Sequence, residues 1–278
     1  MAQELSFIGK DEITCPACGG KFHREELRSG SGRLIAGALT DELHREYLPS
    51  NKFGEVYPLA YNATVCPQCW FASMDTDFEA LPHEQAGKAY DDAKERKNSV
   101  SKIFPHVDFH ENRNLISGAA SHYLVMRCYD FFPVDFSPCA KQGIAALRAA
   151  WLIEDLDKKY PGQNYDWLAK LFKEKAQFFY SEGLRREESG EEKLNAIKSF
   201  GPDTDKNYGY EGFLYLTGLL LVKYAGSADK ASRLAEMAKV KSTIAKIFGM
   251  GEKSKGKPGP LLEHVRELYK SLNKELGE

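Results

Sequence analysis

The chain has 278 residues, of which 42% are hydrophobic and 28% charged, and a formal net charge of −2. That balance excludes collagen-like, low-complexity and wholly disordered chains. The length allows one large domain or two ordinary ones, with cores that do not depend on disulfides.

The opening residues, with Glu4, Lys10, Asp11 and Glu12, lack the basic-then-apolar order of a signal peptide. The longest apolar stretch, 213–222, lies between Glu211 and Lys223 and falls short of the roughly 20 residues a membrane-spanning helix needs. The expectation is a cytoplasmic protein with no membrane contact. In a reducing cytosol, paired thiols serve as metal ligands or redox centres more often than as structural disulfides.

Residues 1–83 read as a loop- and strand-rich module. Gly19-Gly20, Ser29-Gly30-Ser31-Gly32, Pro49-Ser50-Asn51 and Gly54 punctuate its short segments. Two matched turns dominate it, Cys15-Pro16-Ala17-Cys18 and Cys66-Pro67-Gln68-Cys69. A Cys-x-x-Cys turn aims two sulfurs at one point, and two such turns complete a tetrahedral four-thiolate shell. The metal ligands expected are therefore Cys15, Cys18, Cys66 and Cys69. A full shell leaves no position for water or substrate, which favours a structural zinc; a rubredoxin-like iron centre and a dithiol redox pair are the rival uses. Backbone N–H groups, especially at Gly19 and Gly20, should donate to the sulfurs, and Lys21 and Arg24 would favour ionisation. His23 is available as a substitute ligand. Trp70 stands where such knuckles usually carry glycine.

Between the two turns, Thr40 and Asp41 open a stretch, 39–48, whose spacing predicts one short helix. The run Val56, Leu59, Tyr61, Ala63 and Val65 predicts a strand leading into the second cysteine pair.

From residue 84 to 278 the pattern becomes helical. Candidate helices cover 84–103, 113–131, 139–159, 164–188, 191–199, 207–225, 228–248 and 260–275. Ala145, Ala149, Leu152 and Leu156 form one apolar stripe, and Leu261, Val265, Leu268 and Leu272 another; Leu168, Phe172, Ala176 and Phe179 make a third. The segment 207–225 is apolar on all sides, which predicts a central helix. Antiparallel pairs with small residues between them suggest a tetratricopeptide-like stack, but helix starts near 113, 164 and 207 do not keep a 34-residue period. An irregular helical-pair bundle competes with it. Cys128 and Cys139 read as small buried hydrophobes.

Residues 1–83 carry seven Lys or Arg against twelve Asp or Glu, a balance that repels polyphosphates. The segment 229–257 reverses this, with eight basic residues against three acidic. Its Lys253, Lys255 and Lys257 lack interleaved aromatics for stacking bases. Gly251 to Lys257 imitates a phosphate-binding loop, but Pro258 replaces the required Ser or Thr. His106, Asp108, His110 and Glu111 cluster after Pro105; the simpler role for Asp108 or Glu111 is to cap the following helix.

The sequence Ile13-Thr14-Cys15-Pro16-Ala17-Cys18, Arg33-Leu34, Asp41-Glu42-Leu43, Arg45-x-Tyr47, Tyr61 and Val65-Cys66-Pro67-Gln68-Cys69 resembles an uncharacterised bacterial family, domain of unknown function 2225. The likeness continues through Asn112-Arg113-Asn114 and Ala120-Ser121-His122-Tyr123-Leu124. It implies a zinc-ribbon-like N-terminal module joined to tetratricopeptide-like helices, without an established activity.

The expected function is that of a nonenzymatic, zinc-binding protein-interaction scaffold. Phe178, Phe179, Tyr180, Tyr208, Tyr210 and Tyr215 are candidates for its binding surface, although most are expected in the core. An RNA-associated protein using 229–257 ranks second, and a metal-dependent hydrolase using the His106–Glu111 cluster third. The partner and the oligomeric state are not encoded in any recognisable motif.

Overall fold

A computed structural model describes residues 5–226, 230–249 and 259–277. The front of the chain is made of three antiparallel hairpins. β1 (Ser6–Thr14) pairs with β2 (Lys21–Leu27), β3 (Ile35–Leu39) with β4 (Arg45–Leu48), and β5 (Thr64–Val65) with β6 (Ala72–Ser73). The first and third hairpins turn at the two cysteine pairs. β1 and β2 close at Thr14↔Lys21, and β5 and β6 at Val65↔Ala72.

Among the described residues, everything after Leu81 is helix or connection: α1 (His83–Asp91), α2 (Ala93–Ile103), α3 (Leu115–Cys128), α4 (Pro138–Lys159), α5 (Tyr165–Ser189), α6 (Gly209–Tyr224), α7 (Lys230–Gly249) and α8 (Gly259–Leu276). The chain is mostly helical, with small strand pairs at its front that are compatible with a zinc-ribbon-like module. The helical periodicity in the sequence located α3 to α8 closely. All four residues of the stripe on α4 and all four of the stripe on α8 are buried, as amphipathic packing requires.

Four local expectations need correction. The stretch 39–48 is no helix: Thr40 to His44 form the turn of the β3–β4 hairpin, with Leu43 N–H bonded to Thr40 O at 3.0 Å and Thr40 N–H to His44 O at 2.8 Å. Thr40 and Asp41 thus serve a turn and not a cap, and Leu43 adopts a left-handed φ of 61°. The run 56–65 forms a 3-10 turn at Pro58–Tyr61 before a two-residue strand, because Pro58 withholds an N–H from any ladder. The stretch 84–103 is divided at Asp92, which ends α1 and begins α2. Finally, 191–199 contains only the 3-10 turn Leu194–Ala196.

The core is organised around two helices. α6 buries every residue from Gly212 to Leu220, as its all-round apolar sequence requires. α4 is buried from Pro138 through Ile153, even though that run contains Lys141, Gln142 and Arg148. These polar groups face partners: Lys141 Nζ is 2.5 Å from Asp77 Oδ2, which also accepts from Tyr129 Oη at 2.7 Å. Arg148 Nε donates to Pro202 O at 2.7 Å. Buried charge is tolerable when paired in this way.

Such pairs also fasten the front to the helices. The β3–β4 turn inserts Glu42 among α4, α5 and α6, where its carboxylate accepts from Lys173, from Trp151 Nε1 at 2.6 Å and from Tyr224 Oη at 2.6 Å. Burial alone would raise the Glu42 pKa, but the Lys173 ammonium and these donors outweigh it and hold the carboxyl low.

Candidate metal centre

The same hydrogen-bond plan builds both cysteine turns. In the first, Gly19 N–H bonds to Cys15 O and Cys15 N–H to Gly20 O, each at 2.9 Å. In the second, Trp70 N–H bonds to Cys66 O and Cys66 N–H to Phe71 O, again at 2.9 Å. The plan needs a left-handed residue just after each cysteine pair, supplied by Gly19 at φ 74° and by Trp70 at φ 61°. Glycine adopts that region freely, whereas a side chain there costs about 1–2 kcal/mol. Trp70 offsets the cost by packing edge-on against Phe109, 5.2 Å between ring centroids, with Lys97 Nζ 5.7 Å from its ring centroid.

The two turns bring Cys15, Cys18, Cys66 and Cys69 together, with all four sulfurs within 4.8 Å of one another. Sulfurs from opposite turns are the close ones: Cys15 to Cys69 and Cys18 to Cys66 are both 3.6 Å apart. A tetrahedron with metal–sulfur bonds of about 2.3 Å has edges of about 3.8 Å, so this spacing fits four ligands on one ion. It is also far longer than the roughly 2.05 Å of a disulfide. Cys15, Cys66 and Cys69 are buried, and Cys18 is partly exposed. The arrangement can bind a metal ion such as zinc.

As free thiols, the four groups cannot share their charge. Hydrogen bonds from the Cys15 and Cys69 thiols, joined by backbone N–H groups of Cys69 and Gln68, push Cys66 toward the thiolate. Donating to Cys66 in turn raises Cys15, and hydrogen bonds to Cys15 and Cys66 raise Cys69. A cation at the centre removes this conflict, because it stabilises all four thiolates at once.

The surroundings differ in part from expectation. Gly20 N–H does donate to Cys18 Sγ, at 3.4 Å, but Gly19 N–H is committed to Cys15 O. A side chain on Gly20 would overlap the Gln68 amide reaching across from the other turn. Lys21 and Arg24 are not aimed at the sulfurs: Lys21 pairs with Glu12 at 2.8 Å, and Arg24 with Asp75 at 3.1 Å. His23 is exposed on β2, opposite Glu12, and stands outside the cysteine cluster.

The cationic support comes from α2, where sequence reading assigned no role. Arg96, fully buried, donates to Cys69 O at 3.0 Å, Ala89 O at 2.7 Å and Asp92 at 3.1 Å. Lys97 Nζ donates to Gln68 O at 2.6 Å. The one available signal was their position in the helical stretch, 84–103, that the sequence places after the second pair.

The remaining candidates do not assemble a second centre. His106, Asp108, His110 and Glu111 lie exposed on the loop before α3, and among the described residues only the four cysteines group as metal ligands. Asp108 Oδ1 accepts the His110 N–H at 2.8 Å. α3 is capped instead by Asn114, whose side chain accepts from Ser117 N–H while Ser117 Oγ accepts from Asn114 N–H, both at 2.9 Å. In the basic segment, α7 takes up 230–249; the loop imitation at Gly251 to Pro258, with Lys253, Lys255 and Lys257, lies outside the described residues. Lys241 Nζ sits 5.4 Å from the Tyr269 ring centroid, on α8. No helix among the described residues is long and apolar enough to cross a membrane.

Comparison with known proteins places the chain in a family. The model described as "Uncharacterized protein conserved in bacteria (DUF2225)" matches residues 8–272, and the chain belongs to that family. An uncharacterized protein of Borreliella burgdorferi is 40% identical over 275 residues, which cover 99% of this chain and 98% of the relative. No solved structure matches.

Proposed function

We propose that the protein is a nonenzymatic interaction scaffold in which a structural zinc, held by Cys15, Cys18, Cys66 and Cys69, fixes the front hairpins while the helices present a surface to a protein partner. The observation that carries this reading is the convergence of four sulfurs in a closed shell. With every ligand position filled by thiolate, the chemistry such an ion supplies is folding energy, with no open site for a substrate. Iron fits the same ligands, and metal analysis separates the two.

For the partner surface, the aromatic candidates divide sharply. Tyr180, Tyr208 and Tyr215 are buried and belong to the core, and Phe179 and Tyr210 are partly buried. Phe178 is 59% exposed, as is Trp167 at 61%, and both stand on α5. They lie 11 residues apart, three turns or about 16 Å along the same helix face. Large aromatics of this kind act as anchors when a partner covers them. A cytoplasmic protein segment is the proposed partner.

The test is affinity purification from the native cell with the wild-type chain and with Trp167→Ala/Phe178→Ala. A protein recovered stoichiometrically with the first and lost with the second, while both retain the same circular dichroism, supports the reading. An unchanged set of co-purifying proteins contradicts it.

A further inference from the structure

The four sulfurs are not equally reachable. Cys15, Cys66 and Cys69 are buried, at 1%, 0% and 4% exposure, whereas Cys18 is partly exposed. Cys18 also stands on the looser of the two turns. Neither strand of its hairpin has a buried residue, and the next residue, Gly19, has open space where a side chain would be. The second turn is fixed from behind, with Arg96 donating to Cys69 O at 3.0 Å and Lys97 to Gln68 O at 2.6 Å.

Each sulfur of the first turn faces one of the second. Cys18 Sγ lies 3.6 Å from Cys66 Sγ, and Cys15 Sγ lies 3.6 Å from Cys69 Sγ. A disulfide spans roughly 2.05 Å, so Cys18 and Cys66 have about 1.5 Å to close. The first hairpin, without a buried side chain to anchor it, can supply that movement. An accessible thiolate with a buried thiolate beside it is the arrangement in which oxidation of one sulfur is followed by attack of the other. Cys128 and Cys139 lack it, being buried and outside the cluster.

We propose that the centre is a peroxide-sensitive switch in which Cys18 is oxidised first and closes a disulfide with Cys66, releasing the metal. The inference rests on the structural zinc proposed above, since a bound cation is what keeps all four sulfurs as thiolates. The Cys18 thiolate attacks hydrogen peroxide and breaks its O–O bond. Sulfur gives up two electrons, one hydroxyl stays on it as a sulfenic acid, and the other leaves as hydroxide. The Cys66 thiolate then attacks the Cys18 sulfur, forming the S–S bond and expelling a second hydroxide. Together, two thiolates and one peroxide give one disulfide and two hydroxides. Only Cys15 and Cys69 remain as ligands, half of the shell that holds zinc. The disulfide joins the same two hairpins that the ion joined, so oxidation exchanges one cross-link for another, and a thiol reductant reopens it.

The experiment starts from the full chain with its zinc, counted by native mass spectrometry. Hydrogen peroxide is added in modest excess, zinc release is followed with a chromogenic chelator, and the cysteines are mapped by alkylation, proteolysis and mass spectrometry. The expected result is release of about one zinc per chain, in step with the appearance of a peptide linked through Cys18 and Cys66. Dithiothreitol with added zinc should reverse both, and Cys128 and Cys139 should stay reduced throughout. Dimedone, which captures sulfenic acids, should label Cys18 ahead of the other cysteines. Zinc retained with Cys18 still reduced, first oxidation at Cys15, Cys66 or Cys69, or a disulfide confined to one turn would overturn this inference and leave the structural zinc in place. A chain that holds no zinc before peroxide is added would overturn both.

Discussion

In the first cysteine turn the residue after the pair is Gly19, exposed and with open space where a side chain would be; in the second it is Trp70, packed on Phe109 and roofed by Lys97. Both turns make the same backbone bonds and contribute two sulfurs to the same point. Their supports are opposite. The second turn is nailed to α2 by Arg96 and Lys97 and leads into Phe71, Ala72 and Ser73, all buried. The first caps a hairpin in which β1 is largely exposed, β2 is mostly half-buried, and neither strand has a buried residue. One turn is therefore held by the protein core, and the other depends far more on the shared centre. A metal there would fasten the loose hairpin to the rigid one.

The largest expected effect breaks that asymmetry directly. Removing the metal with a strong chelator, or replacing Cys66 by Ser, forfeits binding energy on the order of 10 kcal/mol, the scale of structural zinc sites. Limited proteolysis should then cut within β1–β2 and spare 64–73 and the helices. Cleavage of both hairpins at equal rates would show that the second turn has no independent support.

Next comes the support itself. Arg96→Met keeps bulk on α2 but leaves Cys69 O and Ala89 O without their donor, at a cost of about 2–4 kcal/mol in denaturant unfolding. The same substitution at exposed Arg185, whose partners Glu182 and Glu191 are solvated, should leave the unfolding midpoint nearly unchanged. Comparable losses at the two positions would remove Arg96 from the account.

Acid probes the packing just ahead of the third hairpin, β5–β6. His122, fully buried, meets Leu59 O through Nε2 at 2.9 Å, and burial lowers its pKa to about 3. The unfolded chain takes up that proton near pH 6.5, before the folded one does. Stability contributed by neutral His122 is thus complete above about pH 6.5 and falls by about 1.4 kcal/mol per unit as pH drops toward 3. His122→Gln should flatten the stability profile between pH 6 and 4.5; an unchanged slope there would assign it to other groups.

The smallest effect compares the two left-handed residues. Gly19→Ala introduces strain of about 1 kcal/mol with nothing gained. Trp70→Gly relieves similar strain but forfeits the contact with Phe109, for a net loss of about 1–2 kcal/mol. Measured melting temperatures check both, and a stabilising Trp70→Gly would mean that the Phe109 contact contributes little.

These differences mark what could be read from the chain alone. Cys15, Cys18, Cys66 and Cys69 were legible because metal chemistry fixes their spacing, and the long helices because one apolar face recurs every 3.6 residues. The β3–β4 hairpin was not, since Thr40-Asp41 signals a cap and a turn equally well, and a leucine at left-handed φ has no local signature. Arg96, Lys141 and Lys173 look like solvent-facing helix residues in sequence. Only the fold shows that each meets a carboxylate or carbonyl from the front of the chain. Trp70 is a similar case: its departure from glycine is visible at once, but Phe109, which makes it tolerable, is 39 residues away.

In the scaffold proposed above, thiols from two distant hairpins share one ion. Native mass spectrometry of the purified chain, combined with X-ray absorption at the metal edge, tests it most directly. The expected result is one zinc per chain surrounded by four sulfurs at about 2.3 Å. A metal-free chain that keeps the β1–β2 hairpin protected from protease, or a metal bound through nitrogen and oxygen, would contradict it.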